Sequence, residues 1–133
     1  MTTYELTLDT PRPAELWTGR TLTTIATLFL TMDAAVKLLR LPMAVEGTKQ
    51  LGFSADIVLV LGIIQAISLI AYLIPRTAIF GAIIWTGYLG GAVATHVRLG
   101  NPLFTHVLSP VYVAVLIWGG LFLRDRRLRG LLR

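Results

Sequence analysis

Residues 57–74 read IVLVLGIIQAISLIAYLI, an apolar stretch that is interrupted only by Gln65, Ser68 and small residues and that stops at Pro75. A helix needs about 20 residues, roughly 30 Å at 1.5 Å per residue, to cross the hydrocarbon layer of a bilayer. The stretch therefore predicts a transmembrane helix.

Three further apolar stretches of comparable length occupy residues 21–39, 77–97 and 107–123. Of the 133 residues, 55% are apolar and 14% are charged, whereas soluble domains are about one quarter charged. Four such stretches leave too little polar sequence to cover them in water. We predict an all-α fold, an integral membrane antiparallel four-helix bundle.

The segments that flank and join these spans have their own patterns. Residues 1–20 predict a cytoplasmic or interfacial segment, with a short helix starting at Pro13 and Trp17 as an interfacial anchor; no basic stretch or cleavage site marks a signal peptide. Residues 21–123 form the predicted bundle, and residues 124–133 form a basic cytoplasmic tail. The loop that starts near Pro42 and stops at Gly52 predicts a short amphipathic helix between the first and second spans.

The distribution of positive charge predicts the orientation, since Lys and Arg in short loops are retained on the cytoplasmic side. The loops and tails on the side of the two termini hold eight of the twelve Lys and Arg residues. We expect a multi-pass protein of the cell membrane with both termini cytoplasmic, and a tail that meets anionic lipid. We therefore attribute the net charge of +5 to contact with the lipid bilayer, and we expect no nucleic acid as a partner. The lack of cysteine excludes disulfides and thiolate-bound metal clusters.

Ionisable side chains collect at the opposite, non-cytoplasmic end of the predicted bundle. Asp33 and Lys37 are four residues apart on one helix face, where an ion pair can form. Glu46 and Gln50 share a face of the short helix. Each pair has two interpretations. It has a structural role, as a contact between helices or as the solvated face of a helix, or it binds a ligand or transfers a proton.

Two histidines belong to the same end. His96 ends the third span and His106 begins the fourth, so antiparallel helices bring them together. Histidines with a nearby carboxylate can exchange protons, hold a metal with Asp33 or Glu46, ligate haem, or simply form structural hydrogen bonds; no spacing here is diagnostic. The candidate ligand-binding residues are Lys37, Gln50, Gln65, Trp85, Tyr88, Arg98 and His106; in an enzyme, the candidate catalytic residues are Glu46, His96 and Asp33.

Several motifs resemble those of the DoxX-like family of small four-helix membrane proteins. They are KLL at 37–39, VEGxxQLGF at 45–53, YLIPRTA at 72–78, TGYLGGAxATHxR at 86–98, GNPLFTH at 100–106 and WGGLFLRD at 118–125. The resemblance implies the same antiparallel bundle. The family is named after a subunit of a thiosulfate:quinone oxidoreductase, which implies a redox association; without cysteine, a partner protein or a bound quinone would carry the electrons.

Three functional hypotheses follow. The first is a membrane protein that binds a lipophilic small molecule such as a quinone near the non-cytoplasmic face, with or without a redox partner protein; haem or a metal is a weaker expectation. The second is an isomerase or hydrolase of lipophilic substrates that uses Glu46 or Asp33 with His96. The third is a small transporter assembled from several copies. Gly87 and Gly91 form a small-xxx-small pair that permits close packing, within one bundle or in a homo-oligomer.

Overall fold

The structure is a computed structural model that describes residues 12–132. Within that range it is built of helices and contains no strand. The elements are α1 (Pro13–Leu38), α2 (Pro42–Gln50), α3 (Ile57–Leu73), α4 (Ala78–Arg98), a π-helical turn (Leu103–Val107), α5 (Ser109–Arg124) and α6 (Arg126–Leu131).

The four long helices pack as a ring in which each contacts two neighbours. Helix α1 lies between α3 and α5, and α4 lies between the same two helices on the other side. Consecutive long helices run in opposite directions; a short turn joins α3 to α4, and compact segments that contain α2 and the π turn make the other two connections. The predicted antiparallel four-helix bundle, with a short helix between the first two long ones, is confirmed.

The long helices have the length and surface of membrane spans. Helices α1 and α4, and the π turn together with α5, are long and apolar enough to cross a bilayer. Helix α3 has 17 residues, about 25 Å, at the short end of the observed range. Large apolar side chains point outward: those of Phe29, Ile70, Phe80 and Val115 are between 51% and 63% exposed. An apolar exterior of this kind is solvated by lipid, so the chain is a membrane protein.

The interior of the bundle is held by a few large side chains. Trp85, Ile117 and Leu121 are fully buried. The hydroxyl of buried Tyr72 donates to the carbonyl oxygen of Ile117 over 3.0 Å. In lipid, such packing and hydrogen bonding between helices replaces the hydrophobic effect as the source of association.

Two close helix crossings depend on glycine. A Cβ on Gly19 would lie 2.9 Å from the carbonyl oxygen of Gly120, and a Cβ on Gly81 would overlap the backbone of Tyr72. By contrast, a Cβ on Gly87 or Gly91 would meet no atom within 4 Å. The bundle therefore uses glycines other than the small-xxx-small pair that the sequence singled out.

Helix α1 begins earlier than the first predicted span. Within residues 12–20 no separate surface helix forms, since α1 is continuous from Pro13 to Leu38. The reason is tertiary: Gly19 packs against Gly120 and draws this part of the helix into the bundle. Residues 1–11 of the predicted interfacial segment lie outside the described residues.

The basic tail is folded onto the bundle as α6. Arg129 donates to the carbonyl oxygens of Phe122 and Leu123 at 2.8 and 3.0 Å and lies 3.3 Å from the carboxylate of Glu15. The last carbonyls of α5 have no amide partner within the helix, so these hydrogen bonds from Arg129 cap its C-terminal end.

Pro110 lies in the fourth span, next to a change in its backbone hydrogen bonding. Proline has no amide hydrogen, so it cannot bond the carbonyl of His106 one turn earlier. The hydroxyl of Ser109 donates to that carbonyl instead, over 3.0 Å. The backbone before it forms a π-helical turn, in which Val107 and Leu108 donate five residues back to Pro102 and Leu103.

Candidate functional site

A cavity of about 490 Å³ opens at the end of the bundle that carries the histidines. It lies between α1, α2, the end of α4 and the π turn. Its lining comprises Asp33, Val36, Lys37, Met43, Ala44, Gly47, Thr48, Gln50, Leu51, His96, Asn101 and His106. Five residues that the sequence singled out thus share one space: Asp33, Lys37, Gln50, His96 and His106.

One wall of the cavity carries an ion pair. The Lys37 ammonium contacts Oδ2 of Asp33, and the side-chain amide of Gln65 donates to the same oxygen over 2.6 Å. The Lys37 side chain is 15% exposed and that of Asp33 is 35% exposed. Because Gln65 belongs to α3, the contact also ties α3 to α1. Among residues 12–132, Oδ1 of Asp33 has no hydrogen-bond donor, so it is free to accept from a ligand.

The opposite wall carries the two imidazoles. The rings of His96 and His106 lie edge to face, with centroids 5.7 Å apart and planes inclined by 71°. The side-chain amide nitrogen of Asn101 lies 2.8 Å from Nδ1 of His96. An amide nitrogen can only donate, so Nδ1 accepts and the ring proton of a neutral His96 resides on Nε2. The hydroxyl of Thr105 lies 2.8 Å from Nδ1 of His106.

The cavity does not assemble a metal-ligand set. In the part of the chain that the structure describes, no three His, Asp or Glu side chains are close enough to hold a metal ion together. The two histidines form a pair whose third potential ligand, Asp33, is engaged by Lys37 and Gln65. The arrangement offers donors, an acceptor and exchangeable protons to an organic ligand.

Two of the predicted site residues lie beside the cavity and do not line it. Glu46 is exposed on α2. The guanidinium of Arg98 donates to the carbonyl oxygen of Leu51 over 2.8 Å and lies against Gly52, whose φ of +89° suits glycine. Arg98 thereby fixes the loop after α2, which forms part of the cavity wall.

Three others lie deeper in the bundle. Gln65 is 1% exposed and acts through Asp33. Trp85 is fully buried, and its indole nitrogen has no hydrogen-bond partner among the described residues. Tyr88 packs edge to face on Trp85, with ring centroids 5.6 Å apart. Tyr88 lines a separate apolar groove of about 290 Å³, along with Leu51, Phe53, Leu61, Gly87, Gly91, Ala92 and Thr95.

Asn101 lines the cavity and contacts His96, although the sequence did not single it out as a site residue. In the sequence it is a turn residue after Gly100, whose φ is +70°. It does take part in a turn, because its backbone nitrogen donates to the carbonyl oxygen of His96 over 3.1 Å. Its side chain, however, orients the imidazole. The available signal is its position in the short connection between the two histidines.

Comparison with known proteins places this region within a family. The sequence model of the DoxX-like family matches residues 21–120, a range that contains every residue lining the cavity. No curated protein and no solved structure matches the chain.

Proposed function

The chain belongs to the DoxX-like family, and on that premise we propose that it binds a lipophilic small molecule with a polar head, of the quinone class, at the end of the bundle. The observation that carries this proposal is one cavity, about 490 Å³ in volume, walled by the Asp33–Lys37 pair and by the two histidines. Its volume falls within the range of roughly 300–1,000 Å³ typical of small-molecule sites.

The donors in the cavity favour a ligand with carbonyl oxygens. Lys37 has hydrogens beyond the one directed at Asp33, and His96 carries its proton on Nε2. Carbonyl oxygens only accept hydrogen bonds, so a quinone head matches these groups. Val36, Met43, Ala44 and Leu51 supply an apolar lining for the ring, and an apolar tail would extend into the surrounding lipid.

The same residues support an association with redox chemistry. Reduction of a quinone to a quinol takes up two electrons and two protons. An imidazole ring can both donate and accept a proton, so His96 and His106 are suited to pass protons to a quinone head. The chain has no cysteine, so the electrons come from a redox partner protein, and we propose that the chain acts as a membrane subunit beside it.

An acid–base enzyme is the second candidate, supported by the presence of Asp33 and His96 in one cavity. In this alternative Oδ1 of Asp33 takes a proton from one position of a lipophilic substrate and a protonated His96 gives one to another position, after which transfer of the proton from Asp33 to His96 restores both groups. Glu46, exposed outside the lining, is the weaker acid for that role. Turnover of a lipophilic substrate that Asp33→Asn abolishes, while ligand binding persists, would favour the enzyme.

The binding proposal is tested on the full chain purified in mild detergent. Mass spectrometry of an organic extract identifies what copurifies, and titration with a benzoquinone bearing a ten-carbon tail, followed by tryptophan fluorescence, measures affinity. We expect saturable binding that His96→Ala weakens about tenfold, the value of one hydrogen bond in a dry site. Glu46→Gln is the matched control and should bind like the wild type. Absence of saturation, or equal affinity of the His96→Ala variant, would contradict the proposal.

A further inference from the structure

A second polar cavity lies at the opposite end of the bundle, where the turn between α3 and α4 meets the junction of α5 and α6. Its volume is about 360 Å³. It is lined by Pro75, Arg76, Arg124, Asp125, Arg126 and Arg127. Four arginines and one carboxylate thus surround one space, at the level where the spans end.

The single carboxylate of this cavity is already neutralised. Asp125 accepts from the backbone nitrogens of Arg127 and Leu128 at 2.8 and 3.4 Å and lies 3.2 Å from the Arg127 guanidinium. Its side chain is only 10% exposed. Arg127 also donates to the carbonyl oxygen of Pro75, which holds the two sides of the cavity together. Asp125 and Arg127 therefore cancel each other's charge.

The other three guanidinium groups have no counter-charge within residues 12–132. Arg76 and Arg126 are exposed and form no ion pair or hydrogen bond there. Arg124 is fixed through its Nε, which donates to the hydroxyl of Thr23 over 3.0 Å, and through the ring of Tyr72, 5.5 Å away. Its terminal nitrogens remain available. Three uncompensated guanidinium groups around one cavity complement a phosphate, which guanidinium binds with paired hydrogen bonds.

Exposed apolar side chains on the two segments that form the cavity indicate what carries the phosphate. Leu73 and Ile74, immediately before Pro75, are 49% and 45% exposed. Leu131 and Leu132, at the end of α6, are 72% and 69% exposed. A phospholipid can place its phosphate among the arginines and its acyl chains against Leu73 and Ile74, whereas a soluble phosphate makes no contact with this apolar surface.

We propose that this cavity is a binding site for the phosphate group of an anionic phospholipid. Arg76, Arg124 and Arg126 hold the phosphate, and the Asp125–Arg127 pair shapes the cavity without opposing the ligand. The site is independent of the histidine cavity and of the ligand proposed there. It places a specific lipid between α3 and α6 at the end of the bundle where positive charge is concentrated.

The test uses the full detergent-solubilised chain and native mass spectrometry. Titration with dioleoyl phosphatidylglycerol is compared with dioleoyl phosphatidylcholine, which has the same chains but no net charge, and with glycerol 3-phosphate, which has no chains. We expect tight binding of phosphatidylglycerol alone. Arg76→Gln should weaken it about fivefold, since one basic residue near an anionic lipid contributes roughly that factor, and Arg76→Lys should weaken it less.

Arg20→Gln is the matched control, because it removes the same charge from an exposed position at the same end outside the cavity. It should leave the affinity unchanged. Equal affinity for the two phospholipids in the wild type would overturn the proposal without any variant. An equal loss of affinity in Arg20→Gln would show that the positive charge of this end attracts the lipid without a specific site. Binding of glycerol 3-phosphate as tightly as the lipid would show that the site binds a soluble anion. Either outcome would overturn the proposal.

Discussion

The ring of His96, in α4, meets the ring of His106, in the π turn, edge to face at a centroid separation of 5.7 Å. The connection between them turns at Gly100, whose φ of +70° is accessible to glycine. It also carries Asn101, whose side chain orients His96. A single short connection thus positions both imidazoles and fixes the proton of one of them.

The tautomer of His96 should depend on Asn101. In the wild type the neutral ring should carry its proton on Nε2, because the Asn101 amide donates to Nδ1. Asn101→Asp replaces that donor by a carboxylate, which only accepts, so the proton should move to Nδ1. Nitrogen chemical shifts of ¹⁵N-labelled histidine distinguish the two tautomers. The same tautomer in both proteins would show that Asn101 does not orient the ring.

Removal of Lys37 should destabilise the bundle more than removal of Asp33. Lys37→Met leaves a partly buried carboxylate without its cation, at a cost of about 2 kcal/mol, less than for a fully buried pair because Asp33 is 35% exposed. Asp33→Asn leaves the Lys37 ammonium without its counter-charge, but it keeps an oxygen that accepts from both the ammonium and the Gln65 amide, so it should cost less. Thermal unfolding in detergent measures both. The double variant should be more stable than Lys37→Met alone, and a merely additive loss would contradict the pairing.

Two glycines of α4 should respond oppositely to alanine. Gly81→Ala should destabilise by about 1–3 kcal/mol, because the new Cβ overlaps the backbone of Tyr72. Gly91→Ala, the matched control in the same helix, meets open space and should leave the unfolding temperature unchanged or raise it slightly, by less than about 1 kcal/mol in stability. Equal unfolding temperatures for the two variants would place the helix contact elsewhere.

The attachment of α6 should weaken in acid. Burial alone would raise the pKa of Asp125, but the hydrogen bonds and positive charge of Arg127 outweigh it and hold that pKa below its ordinary value of 3.8. A group with a lowered pKa stabilises the folded state above its unfolded pKa and loses that contribution as pH falls through the folded value. The unfolding temperature should therefore drop below about pH 4, and less steeply in Asp125→Asn, which keeps a cap for α6. Identical pH profiles would exclude this role.

The histidine cavity should face the outside of the cell, since the end that carries Arg76 and α6 has the excess of positive charge. The chain lacks cysteine, so single introduced thiols report its topology. Lys49→Cys should react with a membrane-impermeant maleimide in intact cells, whereas Arg126→Cys should react only after permeabilisation. Both positions are exposed. The reverse labelling pattern would invert the orientation.

The sequence by itself determined the architecture. Apolar runs of membrane-spanning length predicted four helices, and Pro42 with Gly52 predicted the short helix between the first two. Alternation of direction then placed Asp33, Lys37, His96 and His106 at one end. These are local properties: hydropathy and chain length fix where a span begins and ends, and short turns fix the direction of the next one.

Only the tertiary structure decided which of the gathered residues share the cavity. Glu46 lies outside the cavity, Trp85 is buried in the bundle, Arg98 binds the carbonyl of Leu51, and Asn101 is part of the lining. Likewise Gly81, and neither Gly87 nor Gly91, lies at a close helix contact, against the backbone of Tyr72. These outcomes depend on the orientation of each helix about its own axis. Successive residues differ by about 100° around that axis, so neighbouring side chains face the cavity and the lipid. That rotation is fixed by contacts between distant segments, such as Gly19 with Gly120 and Asp33 with Gln65.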